Sequence, residues 1–369
     1  METAARRAVR AEAERLAARF AAAGARPVEA DILQPAGTLL DLYGEDIRAR
    51  AYVTADPVRG ELMLRPDFTV PVVQMHMAGG AEPARYTYAG PVFRMQEAGS
   101  PRPSEYFQAG YELFDGADPA AADAEVFALF ADVLAPLGLR AATGDIGILT
   151  AAVAGLSTTD RRKRALMRHL WRPRRFRALL DRFGGRSPVP ETRRALLSAT
   201  AAEGAGALIA AAGPMIGLRS EAEIAARIEA LAEDAAAPPV AAAEIAILER
   251  VLAIADKAPA ALASLRALAA EMPALAPAVG RMAARLDALA ARGVDVAGLD
   301  FEASYGRTTL EYYDGFVFGF YAEGRDMPPV ASGGRYDALT AVLGQGRAIP
   351  AVGGVIRPEQ VLALAEGER

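Results

Sequence analysis

Between residues 105 and 115 the chain alternates. Tyr106, Gln108, Gly110, Glu112 and Phe114 would fall on one side of a strand, and Phe107, Ala109, Tyr111 and Leu113 on the other. The second side is aromatic and aliphatic and belongs against a core. The first sets an amide and a carboxylate around a glycine. Such a face suits the floor of a small polar pocket, because glycine clears space and its neighbours supply donors and acceptors. Alternation by itself fits an ordinary half-solvated strand equally well.

The rest of the chain follows the same two periods. Residues 2–23 read as a helix with Val9, Leu16 and Phe20 on one side, stopped by Gly24 and Pro27. A strand is expected over 28–36, ending at a proline. A helix is expected over 70–77, with Pro71 near its start, where a missing N–H costs little. Residues 86–93 read as a strand, 96–104 as a Gly/Pro/Ser-rich loop, and 119–137 as a helix with Val126, Leu129, Phe130 and Val133 as its apolar stripe. Another strand is expected within 139–149. From about Gly155 to Gly298 the chain becomes rich in Ala, Leu and Arg with helical periodicity. This predicts an all-helical insertion, 156–299, between two parts of one sheet domain, 1–155 and 300–369. Strands return over 310–321 and 330–336, and a last helix starts at Pro358.

Composition narrows the class. At 369 residues and 52% hydrophobic, the chain can bury one large core or two ordinary ones. Charged residues interrupt every long apolar run, so no bilayer-crossing segment is expected. The N-terminus lacks a hydrophobic signal core, and cysteine is absent, which together suggest the cytoplasm. With two histidines, His76 and His169, there is little for a zinc site or a Ser/His/Asp triad to use. Neither metal nor cofactor is expected. The net charge of -5 does not point to nucleic acid. One segment runs against it: Arg161-Arg162-Lys163-Arg164, then Arg168, Arg172, Arg174, Arg175 and Arg177, with the only tryptophan, Trp171, among them. An aromatic among cations can stack on a base. A solvated helix or a partner-docking surface fits the acidic whole better.

Ordered motifs carry a resemblance to a known family. Leu64-Arg65-Pro66-Asp67-Phe68-Thr69 resembles the Leu-Arg-Pro-Glu-Gly-Thr block of histidyl-tRNA synthetases. Val92-Phe93-Arg94 resembles the start of motif 2 of class II synthetases, and Phe107-Gln108-Ala109-Gly110-Tyr111-Glu112 the family's amino-acid-binding strand. Leu310-Glu311-Tyr312-Tyr313-Asp314 and Gly333-Gly334-Arg335-Tyr336-Asp337 are similar to the two histidine signatures. The resemblance implies an α+β class II fold, an antiparallel sheet flanked by helices. The strand over 28–36 would be motif 1, at a homodimer interface. The resemblance also implies a histidine pocket of Asp67, Gln108, Glu112, Tyr312 and Tyr313, whose acceptors suit an ammonium and an imidazole N–H. Arg94, Gln96, Arg102 and Arg335 would be what is left of a nucleotide-phosphate site, where guanidinium groups neutralise transition-state charge.

The departures are as informative as the matches. Thr308 and Thr309 stand where the histidine enzymes carry Arg-Gly, and that arginine is catalytic in them. Gln96 replaces a glutamate, and Gln360 replaces the phosphate-gripping arginine of motif 3. Arg357 lies three residues away from it. Losing one buried charge-assisted contact to a transition state costs about 3 kcal/mol, roughly a hundredfold in rate. Two such losses argue against efficient adenylation. No anticodon-binding domain is expected after the motif 3-like run. A synthetase-like core with these changes resembles the regulatory subunits of ATP phosphoribosyltransferase, paralogues of histidyl-tRNA synthetase. That family implies a non-catalytic self-dimer that joins the short-form catalytic subunit, in a hetero-octamer, activates it in the first step of histidine biosynthesis, and passes on feedback by free histidine. An adenylate-forming enzyme and a tRNA-binding module remain as alternatives at this stage.

Overall fold

A computed structural model describes residues 3–367 except 38–50, 98, 101, 215, 308–311 and 326. Its strands are β1 (Arg26–Pro27), β2 (Leu33–Pro35), β3 (Val53–Asp56), β4 (Gly60–Leu64), β5 (Ala84–Phe93), β6 (Glu105–Phe114), β7 (Arg140–Asp145), β8 (Ala255–Lys257), β9 (Asp300–Glu302), β10 (Phe316–Tyr321), β11 (Ala331–Arg335) and β12 (Ala351–Ile356). Nine of them form one sheet in the order β1-β5-β6-β12-β11-β10-β7-β9-β8, and β2-β4-β3 form a second. The six strands from β5 to β7 pair antiparallel; among the described residues parallel pairs occur only at β1–β5 and β7–β9.

One face of this sheet carries the core. Helix α1 (Ala4–Ala22) starts at Thr3, whose hydroxyl accepts from the Arg6 N–H, and it buries Leu16 and Phe20. Phe20 packs on Tyr111 of β6. Helix α2 (Thr69–Met77) covers the opposite face. Helix α3 (Pro119–Leu134) starts behind an Asp118 cap with Pro119 in its first turn. Its Phe127 meets Phe316, Phe318 and Phe320 of β10. The expected stripe on α3 is therefore corrected at one position: Phe127 is buried and Leu129 only half-buried. The helix is covered on two sides, by the sheet and by a later helix, so its buried arc is wider than one stripe.

One strand expectation is sharpened and two need correction. The run over 139–149 stops at Asp145, whose side chain accepts from the Gly147 N–H and starts helix α4 (Ile146–Ala154). The expected strand over 310–321 begins only at Phe316. Tyr312, Tyr313 and Asp314 precede it as irregular backbone, with the Asp314 carboxylate accepting from the N–H groups of Asp337 and Ala338. Of the strand expected over 28–36 only β2 forms; β1 lies just before that range and belongs to the other sheet.

After α4 come α5 (Asp160–Arg168), α6 (Pro173–Phe183), α7 (Glu191–Glu203), α8 (Ala205–Ala211), α9 (Glu221–Ala236), α10 (Ala242–Leu252), α11 (Ala258–Glu271) and α12 (Ala276–Ala291). The stretch is not all helix, because β8 lies within it and pairs with β9 at the sheet edge. It also shares the core: Leu265, Val279 and Met282 belong to the same continuous cluster as Phe127 and Phe316. Helices α13 (Asp337–Leu343) and α14 (Pro358–Gly367) complete the described chain, in which no helix is long and apolar enough to cross a membrane.

A buried ion network fastens α12 to the sheet domain. Asp123 of α3 accepts from Arg285 at 3.2 Å and from Arg335 at 2.7 Å, and Arg285 also reaches Asp145 at 2.7 Å. Arg335 adds a bond to Asp337 at 3.0 Å. Burial pushes the Asp123 carboxyl up, and the two guanidinium groups oppose that rise. Breaking such a network at one member leaves uncompensated buried charge. Asp123→Ala is expected to lower unfolding stability by about 3–5 kcal/mol in urea titration. A loss below about 1 kcal/mol would show that the network is not what holds α12 in place.

Candidate functional site

The sheet register sets the site. Tyr86, Glu112, Gly353, Gly334, Val317 and Gly144 lie in one row across six strands. Tyr88, Gly110, Val355, Ser332, Gly319 and Ala142 form the next, and Gly90 pairs with Gln108 in a third. These rows share the face turned away from α1 and α3, as period-two alternation requires. The polar face expected from β6 is therefore present, but it is not half-solvated. Glu112 is 0% exposed and Gln108 1%.

Glu112 is the hub. Its Oε1 accepts from the Thr69 hydroxyl at 2.9 Å and from the Tyr88 hydroxyl at 2.8 Å; its Oε2 accepts from the Tyr336 hydroxyl at 2.6 Å. The side chain lies over Gly353, where an added Cβ would stand 1.6 Å from Oε2. Tyr88 in turn lies over Gly110, where an added Cβ would stand 2.2 Å from its ring. The space that Gly110 clears is thus filled by the chain itself. Phe68 stacks on Tyr88 at 4.3 Å, and the Arg65 guanidinium sits 3.9 Å over Phe68. Burial pushes the Glu112 carboxyl up to about 7, against the pull of the three hydroxyls.

The other predicted pocket residues gather around it. Asp67 is buried, and its carboxylate accepts from the Val70 N–H at 3.4 Å. The Tyr312 hydroxyl donates to Thr69 at 3.4 Å, and Tyr312 and Tyr313 meet edge to face. Burial, and then the Glu112 charge, raises the Tyr313 hydroxyl. Gln108 presents a buried Oε1 with no hydrogen-bond partner among the described residues. The set is rich in acceptors and hydroxyls, which suits a cationic or N–H-bearing ligand.

The predicted phosphate residues do not gather. Arg335 is corrected outright: it is buried and bonded to Asp123, Asp337 and the Pro119 carbonyl, so its charge is neutralised inside the fold. Arg102 is exposed. Arg94 donates to the Pro66 carbonyl, and Gln96 donates back to the Arg94 carbonyl. Arg307 is buried, donates to the Leu170 carbonyl and lies 5.0 Å over Phe176, turned toward the helical segment. Arg357 bonds the Pro329 carbonyl and Ser332, and burial lowers its pKa, with the nearby Arg94 charge adding to the effect. Thr308, Thr309, Leu310 and Glu311 lie outside the described residues. Thr69 and Tyr336 stood inside the matched blocks without an assigned role, and Tyr88 shares Glu112's face only through the β5–β6 register. Two cavities, of about 530 and 500 Å³, open elsewhere: beside Arg85, Glu125 and Arg292, and at the β7–β9–β8 edge beside Arg140, Lys257 and Asp300.

Comparison with known proteins gives the family and the fold. The sequence pattern of the family described as Histidyl-tRNA synthetase matches residues 1–248 and 225–361. The chain is 34% identical over 357 residues to proteins named ATP phosphoribosyltransferase regulatory subunit from Brucella canis and Brucella melitensis, covering 93% of each chain. Among solved structures, an ATP phosphoribosyltransferase regulatory subunit/histidyl-tRNA synthetase from Bacillus halodurans superposes with a TM-score of 0.66 at 20% identity, over 97% of this chain and 79% of that one. Histidyl-tRNA synthetase from Nostoc gives 0.62 at 14% identity, over 98% and 71%. The last two show the fold; the first two, with the matched pattern, show the family. The chain belongs to the ATP phosphoribosyltransferase regulatory subunits, a paralogous branch of the histidyl-tRNA synthetase family with its class II fold.

Proposed function

We propose that this chain is a non-catalytic subunit that dimerises, assembles with the short-form catalytic subunit of ATP phosphoribosyltransferase, and is required for that subunit's activity. Feedback enters when histidine binds among Gln108, Glu112, Asp67, Tyr312 and Tyr313. The reading has the chain divided into a synthetase-like core, 1–155 and 300–369, and the insertion 156–299. The observation that carries the proposal is a contrast. The acceptor cluster is kept together on the sheet, whereas Arg335 and Arg307 are committed to internal partners and Gln360 supplies no charge. A site with acceptors but without a phosphate grip can hold an amino acid without activating it. Binding that differs between two assembly states is what feedback requires.

Purified alone, the chain is expected to give no histidine-dependent ATP–pyrophosphate exchange. Mixed with the short catalytic subunit, it should raise phosphoribosyl transfer at least about tenfold, and histidine should suppress that gain. Exchange by the isolated chain, or no effect on the catalytic subunit, would refute the proposal.

The Glu112 carboxyl gives a pH signature. Its folded pKa lies above the unfolded value, so the folded state holds the proton more tightly. Glu112 therefore costs stability increasingly as pH rises from about 4.5 to about 7, and the cost is constant above that. Relative to Glu112→Gln, the wild type should lose stability across this window in denaturant titrations at stepped pH. Histidine should bind more weakly at pH 6 than at pH 8, and Glu112→Gln should flatten that trend in calorimetric titration. Parallel curves for the two proteins would mean that Glu112 is not the titrating group.

A further inference from the structure

The helical segment carries an unbalanced charge that the pocket does not use. Residues 160–186 hold eleven Lys and Arg against two Asp, in a chain of net charge -5. Some of these cations are internal. Arg162 is buried and bonded to Asp234 and to the carbonyls of Pro238 and Ala237, and Lys163 donates to the Ala154 carbonyl. Arg161, Arg164, Arg168, Arg174, Arg175 and Arg177 are different. All six are exposed, and none has a carboxylate partner among the described residues. Some exposed arginines elsewhere are paired, such as Arg19 with Asp132 and Arg250 with Glu271; what sets these six apart is their density along two adjoining helices.

The six sit on two helices that touch. Arg161, Arg164 and Arg168 follow helical spacing along one side of α5. Arg174, Arg175 and Arg177 open α6, which packs on α5. Between them His169 is held below its ordinary pKa by burial and then by Arg172, Arg175 and Arg168, a sign of unrelieved positive field. Arginine forks match carboxylates in pairs, which lysine does not.

Two features favour a protein surface over a nucleic acid. Trp171 is half-buried against the core with its indole N–H enclosed, so its ring is not laid out as a stacking platform. Helix α9, which supplies Asp234 to Arg162, carries Glu221, Glu223, Glu229 and Glu233 and would repel a continuous phosphate backbone. We propose that the arginine face of α5 and α6 docks a carboxylate-rich surface of the catalytic subunit. The inference rests on the assembly proposed above and names the surface through which it occurs. Charge of this density steers encounter and sets salt dependence.

The test uses the full chain and the purified short catalytic subunit, with Arg168→Glu/Arg175→Glu/Arg177→Glu and, as a milder form, the same sites changed to Gln. All six positions are exposed, and circular dichroism and the size of the chain alone check that fold and self-association persist. The wild type should bind the catalytic subunit with an affinity that falls steeply between about 50 and 500 mM salt. The Glu variant should lose at least about tenfold in affinity at low salt, the Gln variant less, and both should show a shallower salt slope. If the wild type binds and the variants bind equally well, the arginine face is not the docking surface, and the assembly itself stands. If the wild type does not bind, the assembly proposal fails and this one with it. If the variants instead change the oligomeric state of the chain alone, or abolish binding to a defined RNA hairpin that the wild type holds, the face serves a second copy or nucleic acid and the proposal is overturned.

Discussion

A carboxylate without access to water organises this molecule. Glu112 lies on the sheet face opposite α1 and α3, over a glycine that leaves it room, and takes hydroxyl hydrogens from Thr69, Tyr88 and Tyr336. Those three donors come from α2, from β5 and from the residue after β11, so one side chain ties together distant parts of the fold. A buried carboxylate is tolerated only when its lone pairs are met. That requirement fixes Tyr88 over Gly110 and draws α2 down onto the sheet. It also leaves the neighbouring Gln108 with an acceptor still to satisfy.

The arginines tell the complementary half. In an adenylating site guanidinium groups must face the substrate phosphates. Here Arg335 closes an ion network with Asp123 and Asp337, and Arg285 extends it to Asp145 and the helical segment. Arg307 turns to Leu170 and Phe176. Arg335 and Arg285 are held by buried carboxylates, and withdrawing any of those would strand a buried charge. The fold has therefore placed cations where they join the helical segment to the sheet. Arg335 also precedes Tyr336, a donor to Glu112, so the network and the acceptor cluster meet at adjacent residues.

Much of this was legible in the sequence. The long strand of β6, the helix after the Arg-Pro-Asp turn and the pocket candidates all follow from period-two or helical patterning and from matched blocks. What was not legible depends on distant pairing. Arg335 sits in a block that reads as a ligand site, and only its contact with Asp123, 212 residues away, shows otherwise. Strand β8 is three residues long in a helix-rich run, and its existence depends on an open sheet edge supplied by β9. The strand after residue 139 ends early because Asp145 caps a helix, a local signal that hydrophobic alternation hides. Gly110 looked like cleared space for a ligand, whereas the β5 register delivers Tyr88 into it.

The central claim is that the acceptor cradle survives while the phosphate grip does not. The most direct measurement is a crystal structure of the chain soaked with ATP and histidine together. The account predicts intact histidine with its N–H groups against Gln108 and Glu112, and no bond between its carboxylate and a phosphate. Density for a histidyl-adenylate in that site would contradict it.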